Sequence, residues 1–152
     1  MPGVLPQGLE WDGNFPVSTE AVEDKTWHAY VHIPFCDVRC GYCDYNTYTS
    51  TEVQGISRTE FHKPLITEIN QSKLVLTRSN IETKPFSTVF FGGGTPSLFS
   101  IEQIEALLES LRNNYGIIPG ADMTLELNPD SVDLEYMQGL SELGINRVSI
   151  GA

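Results

Sequence analysis

Cys36, Cys40 and Cys43 fall within eight positions of the stretch HIPFCDVRCGYCDY, and the chain holds no other cysteine. Disulfide frameworks favour even numbers of cysteines spread along a chain, so an odd, tight cluster points to reduced thiols acting as ligands. Thiolates are soft donors that select zinc, copper(I) or iron–sulfur clusters. Structural zinc prefers four protein ligands, and the nearby fourth candidate is His32. A cubic [4Fe-4S] cluster also offers four metal corners, normally met by four cysteines. Three cysteines leave one iron open to a small molecule. Three structural cysteines, or a zinc knob completed by His32, are the blander readings of the same residues.

Two further stretches carry polar chemistry. FFGGGTPS, residues 90–97, puts three glycines at the end of a strand-like run, where the backbone can approach a ligand closely. It is neither a phosphate-binding P-loop nor a GxGxxG turn, and by itself it also reads as a tight strand-to-helix connection. In TLELNPD, Glu126 alternates with flanking leucines. It can accept hydrogen bonds from a ribose diol or pair with Arg147. His28 and His62 read as surface or structural residues, His32 as a hydrogen-bonding partner beside the cysteines, and Asp130 with Ser131 as a helix N-cap.

The elements that must position these groups alternate strand and helix, the pattern of an α/β protein with a parallel sheet. Strands are expected at HAYVHIPF, FSTVFFGG, DMTLELNP and NRVSIGA. A first helix is expected over about 58–76, with Phe61, Leu65, Ile69 and Leu74 inward and Pro64 in its first turn. A second follows Ser100, with Gln103 three positions on and an apolar stripe through Ile101, Ile104, Leu107, Leu108 and Leu111. A third starts near Asp133, turns Leu134, Met137, Leu140 and Leu143 inward and stops at Gly144. Alternation leaves one polar face on three strands: Tyr30 and His32, Thr124 and Glu126, Arg147 and Ser149. Helices are therefore expected on one side of the sheet only, with the polar side lining a concavity. Residues 1–26 carry scattered proline and glycine and read as a loosely ordered extension before a core over 27–152.

With 20 acidic against 9 basic side chains the net charge is −11, which disfavours nucleic acid and anionic lipid as partners. No run has the length of a membrane helix and the N-terminus lacks the pattern of a signal peptide, so the expectation is a cytoplasmic protein without stable membrane insertion.

YVHIPFCDVRCGYCDYN resembles the signature of the radical S-adenosylmethionine (SAM) superfamily. More narrowly, it resembles the oxygen-independent coproporphyrinogen III oxidases and the related HemW-type heme chaperones. The resemblance implies the N-terminal part of a partial (β/α)6 TIM-like barrel, here about four strands and three helices. It makes Cys36, Cys40 and Cys43 the ligands of a [4Fe-4S] cluster whose open iron chelates SAM. The reduced cluster then cleaves SAM to methionine and a 5′-deoxyadenosyl radical. It sets Tyr30 and Tyr42 against SAM. FFGGGTPS is similar to the family's GGGTP element, so the backbone of Gly93, Gly94 and Thr95 would hold the methionyl ammonium. The glutamate of the E-x-N/D-P motif, here Glu126, would contact the ribose.

The oxidases carry a further cysteine two positions after the third, where this chain has Tyr45. That departure resembles the chaperone branch, which binds and delivers heme. Oxidative decarboxylation of coproporphyrinogen III is the alternative, and a small zinc-binding interaction module a third reading. The implied partners are SAM, an electron donor such as flavodoxin or ferredoxin, and porphyrin or heme bound through a C-terminal part. Family members continue past NRVSIGA, so the expectation is a truncated core that keeps the cluster ligands and part of the SAM pocket and has no turnover of its own.

Overall fold

A computed structural model of the chain describes Gly13 and residues 26–41 and 43–151. Apart from Gly13 and Thr26, the extension expected over 1–26 lies outside the described residues, as does Tyr42. In chain order the elements are β1 (Trp27–Ile33), β2 (Glu52–Val53), β3 (Ile56–Ser57), α1 (His62–Arg78), β4 (Phe86–Gly93), α2 (Ile101–Asn114), β5 (Ile117–Leu127), α3 (Leu134–Glu142) and β6 (Arg147–Ile150). The four long strands form one sheet in the order β1-β4-β5-β6, parallel at every pairing. Parallel neighbours cannot be joined by tight turns, and α1, α2 and α3 provide the crossovers.

The register sorts the side chains. Val31, Phe91, Leu125 and Val148 stand side by side across the sheet, and they belong to a core that also takes Ile104, Leu107 and Leu108 of α2 and Leu140 of α3. Leu65, Ile66 and Ile69 of α1 pack on the same cluster. One residue along each strand, the opposite face shows His32 beside Gly92 and Glu126 beside Ser149. All three helices thus cover one face, as the alternation predicts, and the polar face is left to the site. Each fully buried leucine contributes about 1.5–3 kcal/mol to holding the layers together.

Helix α2 starts where its sequence says it should. The Ser100 N–H donates to Gln103 Oε1 at 2.9 Å and the Gln103 N–H donates to Ser100 Oγ at 3.4 Å, a reciprocal capping box. Caps of this kind are worth about 1 kcal/mol. Elsewhere the structure corrects the expectations. Helix α1 begins at His62 rather than near 58, with Pro64 in its first turn as expected. Leu74 is 55% exposed, because five positions beyond Ile69 turn a helix about 140° off its stripe. Leu134, the first residue of α3, is 74% exposed rather than inward. The α3 N-cap is Asp133, whose carboxylate accepts from the Tyr136 N–H at 2.8 Å. Asp130 and Ser131 instead sit in a short 3-10 turn capped by Asn128. The hairpin β2–β3, turned through positive φ at Gln54 and Gly55, has no counterpart in the expected strands.

Tyr136 ties α3 to the turn before α2. Its hydroxyl donates to the Phe99 carbonyl at 2.9 Å, and burial pushes the phenol up to about 12. The unfolded chain therefore ionises this tyrosine first, and stability falls as pH rises from the ordinary phenol value through about 12. Tyr136→Phe is expected to cost about 1 kcal/mol at neutral pH and to flatten that alkaline decline. Denaturant titrations at neutral and alkaline pH check both.

Candidate functional site

The cysteine loop leaves β1 through Pro34 and Phe35. Phe35 is buried, meets Phe61 edge-on at 5.0 Å and lies 6.3 Å from Phe99. Large aromatic burial fixes the start of the loop, and two backbone bonds close its base. The Cys36 N–H donates to the Tyr48 carbonyl at 2.9 Å and the Tyr48 N–H donates to the Pro34 carbonyl at 2.8 Å. Between these pins residues 37–41 and 44–46 are exposed and Thr47 is buried, with a turn in which the Cys43 N–H donates to the Cys40 carbonyl at 3.1 Å. All three cysteines are free thiols, Cys40 exposed and the others half-buried. They line one cavity of about 750 Å³ together with Gly93, Gly94, Thr95 and Glu126. Among the described residues no three His, Cys, Asp or Glu side chains converge tightly enough to hold a single metal ion.

Across the cavity stands the glycine turn that ends β4. Gly93 has φ +116°, which a side chain rarely adopts, and a Cβ on it would lie 2.6 Å from the His32 ring. A Cβ on Gly94 would lie 2.4 Å from the Phe35 carbonyl oxygen and 3.0 Å from Cys36 Sγ. Glycine is required here because the turn and the cysteine loop touch backbone to backbone. The contacts also consume donors. The Gly94 N–H donates to the Ile33 carbonyl at 2.8 Å, the Thr95 N–H to the Phe35 carbonyl at 2.6 Å and the Gly93 N–H to Glu126 Oε2 at 3.0 Å. With these three N–H groups spent, and the Thr95 carbonyl accepting from the Leu98 N–H at 3.0 Å, what the turn has left to offer a ligand is acceptor capacity on its carbonyls. It suits an ammonium rather than the phosphate that free N–H groups cradle.

Glu126 faces this turn from β5. The pairing with Arg147 raised by the sequence does not form, because Arg147 pairs in register with Thr124 and its guanidinium reaches Asp122 instead. Glu126 keeps the Gly93 N–H as a neutral partner and a place on the cavity wall. A carboxylate so placed can accept hydrogen bonds from hydroxyls.

His32 reaches the cysteine loop at Asn46, and the more exposed Tyr30 reaches His32. His32 Nε2 is 3.0 Å from the Asn46 carbonyl, an acceptor only, so Nε2 carries a proton. Nδ1 lies 3.2 Å from the Tyr30 hydroxyl and is bonded to it. Burial first, then the charges of Glu126 and Tyr45, hold the Tyr30 phenol above its ordinary value. Its ring stacks on Phe90 at 5.9 Å. Both nitrogens of His32 are thus committed away from the thiols, and a zinc knob completed by His32 would have to break these bonds. Tyr30 does not line the cavity, while Tyr45 does. His28 bonds Thr26 and Thr88, and His62 lies 3.2 Å from Gln103 Nε2, so both act structurally. Asn128, Ser149 and Gly151, which strand alternation puts on the polar face, line the cavity as well, although no site role was expected of them.

A family model described as Radical SAM superfamily matches residues 30–152. The chain is 37% identical over 122 residues to a Mycobacterium tuberculosis protein named heme chaperone HemW, covering 80% of this chain and 30% of that protein. It is 37% identical over 123 residues to heme chaperone HemW of Synechocystis, covering 81% and 29%. It is also 38% identical over 122 residues to radical S-adenosyl methionine domain-containing protein 1, mitochondrial, of Danio rerio, covering 80% and 26%. Among solved structures, coproporphyrinogen III oxidase (HemN) from Escherichia coli, described as a radical SAM enzyme, superposes with a TM-score of 0.62 at 27% identity over 82% of this chain and 27% of that one. The chain spans between about a quarter and three tenths of the length of these relatives. Among the described residues no helix is long and apolar enough to cross a membrane.

Proposed function

The chain belongs to the radical SAM superfamily, and from that premise we propose that it binds a [4Fe-4S] cluster and SAM in the cavity between the cysteine loop and the glycine turn. We further assign it to the heme chaperone branch as its N-terminal, cofactor-binding part. The observation that carries the reading is the donor set: three free thiols on one cavity wall facing a turn from which a Cβ is excluded. Cys36, Cys40 and Cys43 would hold the cluster. A bound, reduced cluster supplies the electron for reductive cleavage of SAM.

The chain's own residues do the rest. Carbonyls of the Gly93–Thr95 turn accept from the methionyl ammonium, because the N–H groups of that turn are already engaged. Glu126 accepts from the ribose hydroxyls with the oxygen capacity left beyond its bond to Gly93. Tyr30, held by its bond to His32 just off the cavity wall, is the family's candidate for a further SAM contact. Tyr42, the remaining candidate for a SAM contact, lies outside the described residues. Tyr45 at the position of the oxidases' additional cysteine, and the names of the relatives, favour heme delivery over porphyrinogen oxidation. Heme or porphyrin would engage a C-terminal part of a longer protein, and a flavodoxin- or ferredoxin-like donor would reduce the cluster.

The test is anaerobic reconstitution of the chain with iron and sulfide. The expected product is coloured, carries about four iron and four sulfide per chain, and changes its electron paramagnetic resonance spectrum when SAM is added to the reduced form. One zinc without sulfide would sink the cluster, and an unchanged spectrum would sink the SAM site. Heme titration against coproporphyrinogen conversion, on a longer form with the C-terminal part, separates chaperone from oxidase.

A further inference from the structure

We propose that Arg58 and Gln103 are positioning residues that set the cysteine loop from the start of helix α2. Arg58 Nη1 donates to Asp37 Oδ1 at 3.1 Å, and Asp37 directly follows Cys36. Among the described residues this is the one ion pair made by the loop between Cys36 and Thr47. Arg58 is itself held from behind. Gln103 Nε2 donates to the carbonyls of Arg58 and Thr59, both at 3.0 Å, with His62 Nδ1 a third neighbour at 3.2 Å.

Gln103 is only 9% exposed, and its Oε1 accepts from the Ser100 N–H in the cap of α2. A nearly buried amide with its oxygen and both hydrogens engaged has one orientation. Through it, the first turn of α2 fixes the backbone at 58–59, and Arg58 carries that position to Asp37. The same helix follows the glycine turn through the short 3-10 segment Pro96–Leu98. Both walls of the cavity are therefore referenced to one rigid element. An exposed ion pair adds little to global stability, so its effect is local: it narrows the range over which the Cys36 end of the loop moves.

This inference rests on the cysteine loop being the cluster cradle, and the experiment has one arm that does not. In the cluster-free chain, the rate of iodoacetamide alkylation is measured at each cysteine by mass spectrometry. In the reconstituted chain, the rate of iron release to a chelator is followed. Arg58→Ala is expected to speed alkylation of Cys36, and iron release, about threefold to fivefold, the size an exposed ion pair can supply. Arg58→Lys, and the swap of Asp37→Arg with Arg58→Asp, are expected to recover most of the wild-type rates. The melting temperature of Arg58→Ala should stay within about 2 °C of wild type. Equal rates in wild type and Arg58→Ala would overturn the proposal. So would a uniform speeding at all three cysteines with a falling melting temperature, since that assigns Arg58 to global stability. A wild-type chain that takes up no iron would remove the cluster reading alone, and the alkylation arm would still decide the role of Arg58. Gln103→Ala removes helix cap and strut together, so the Arg58 variants carry the test.

Discussion

Cys40→Ser is expected to lower the iron and acid-labile sulfide retained after anaerobic loading by more than about tenfold, and to leave the melting temperature within about 2 °C of wild type. The two halves of this expectation have different causes. Cys40 is exposed and outside the apolar core, so replacing sulfur by oxygen removes no packing. Serine is a hard, protonated donor at neutral pH and a poor ligand for iron, so the loss falls entirely on the metal. Cys36→Ser and Cys43→Ser should lose cluster to the same extent, although both thiols are half-buried and Cys43 Sγ lies 3.8 Å from the Thr47 hydroxyl. Equal loss at unequal burial is the signature of a shared centre. A variant that keeps full iron and sulfide after losing any one of the three thiols would remove that cysteine from the ligand set. The melting control separates ligand loss from unfolding.

What the sequence made legible follows from how local each signal is. The stripe and reciprocal cap of α2 depend on residues within one or two turns, and the helix appears with the expected start. The one-sided sheet follows from alternation at period two, and Val31, Phe91 and Leu125 fall on the core face while His32, Gly92 and Glu126 fall on the other. The family resemblance put Cys36, Cys40, Cys43, Gly93, Gly94, Thr95 and Glu126 into one list with Tyr30 and Tyr42; the fold brings the first seven to one cavity, leaves Tyr30 off its wall, and Tyr42 lies outside the described residues. Register is not local. Whether Arg147 meets Glu126 or Asp122 depends on a slip between β5 and β6 that no single-strand pattern encodes. The hairpin β2–β3 has strands of two residues, too short for alternation to show. Residues 58–61 carry a helix-like pattern yet stay outside α1, and that leaves Arg58 free to bridge Gln103 and Asp37. Proline and glycine at 119 and 120 hid the first part of β5, which begins at Ile117.

Gly94→Ala is expected to destabilise the fold and to strip the site of its cluster, because the added methyl has no flexible neighbour to displace. Its Cβ would lie 2.4 Å from the Phe35 carbonyl oxygen and 2.8 Å from the carbonyl carbon, both backbone atoms. Phe35 itself is locked among Phe61 and Phe99 and is 1% exposed, so the turn must retreat rather than the loop. Retreat breaks the bond from the Gly94 N–H to the Ile33 carbonyl and the one from the Thr95 N–H to the Phe35 carbonyl. At about 1 kcal/mol each, with strain and an opened contact added, the loss comes to about 2–4 kcal/mol. For a chain of this size that lowers the melting temperature by about 5–15 °C. The same methyl would sit 3.0 Å from Cys36 Sγ, so folded Gly94→Ala protein should also load less iron than wild type. Gly41→Ala is the matched control: it lies in the facing cysteine loop, between Cys40 and Cys43, and a Cβ there meets nothing within 4 Å. It is expected to change stability by less than about 0.5 kcal/mol. If Gly94→Ala melts and loads iron like Gly41→Ala, the backbone contact between turn and loop does not set the distance across the cavity. If Gly94→Ala alone fails in both measurements, closeness of these two backbones is what shapes the place where a cluster and its ligand would meet.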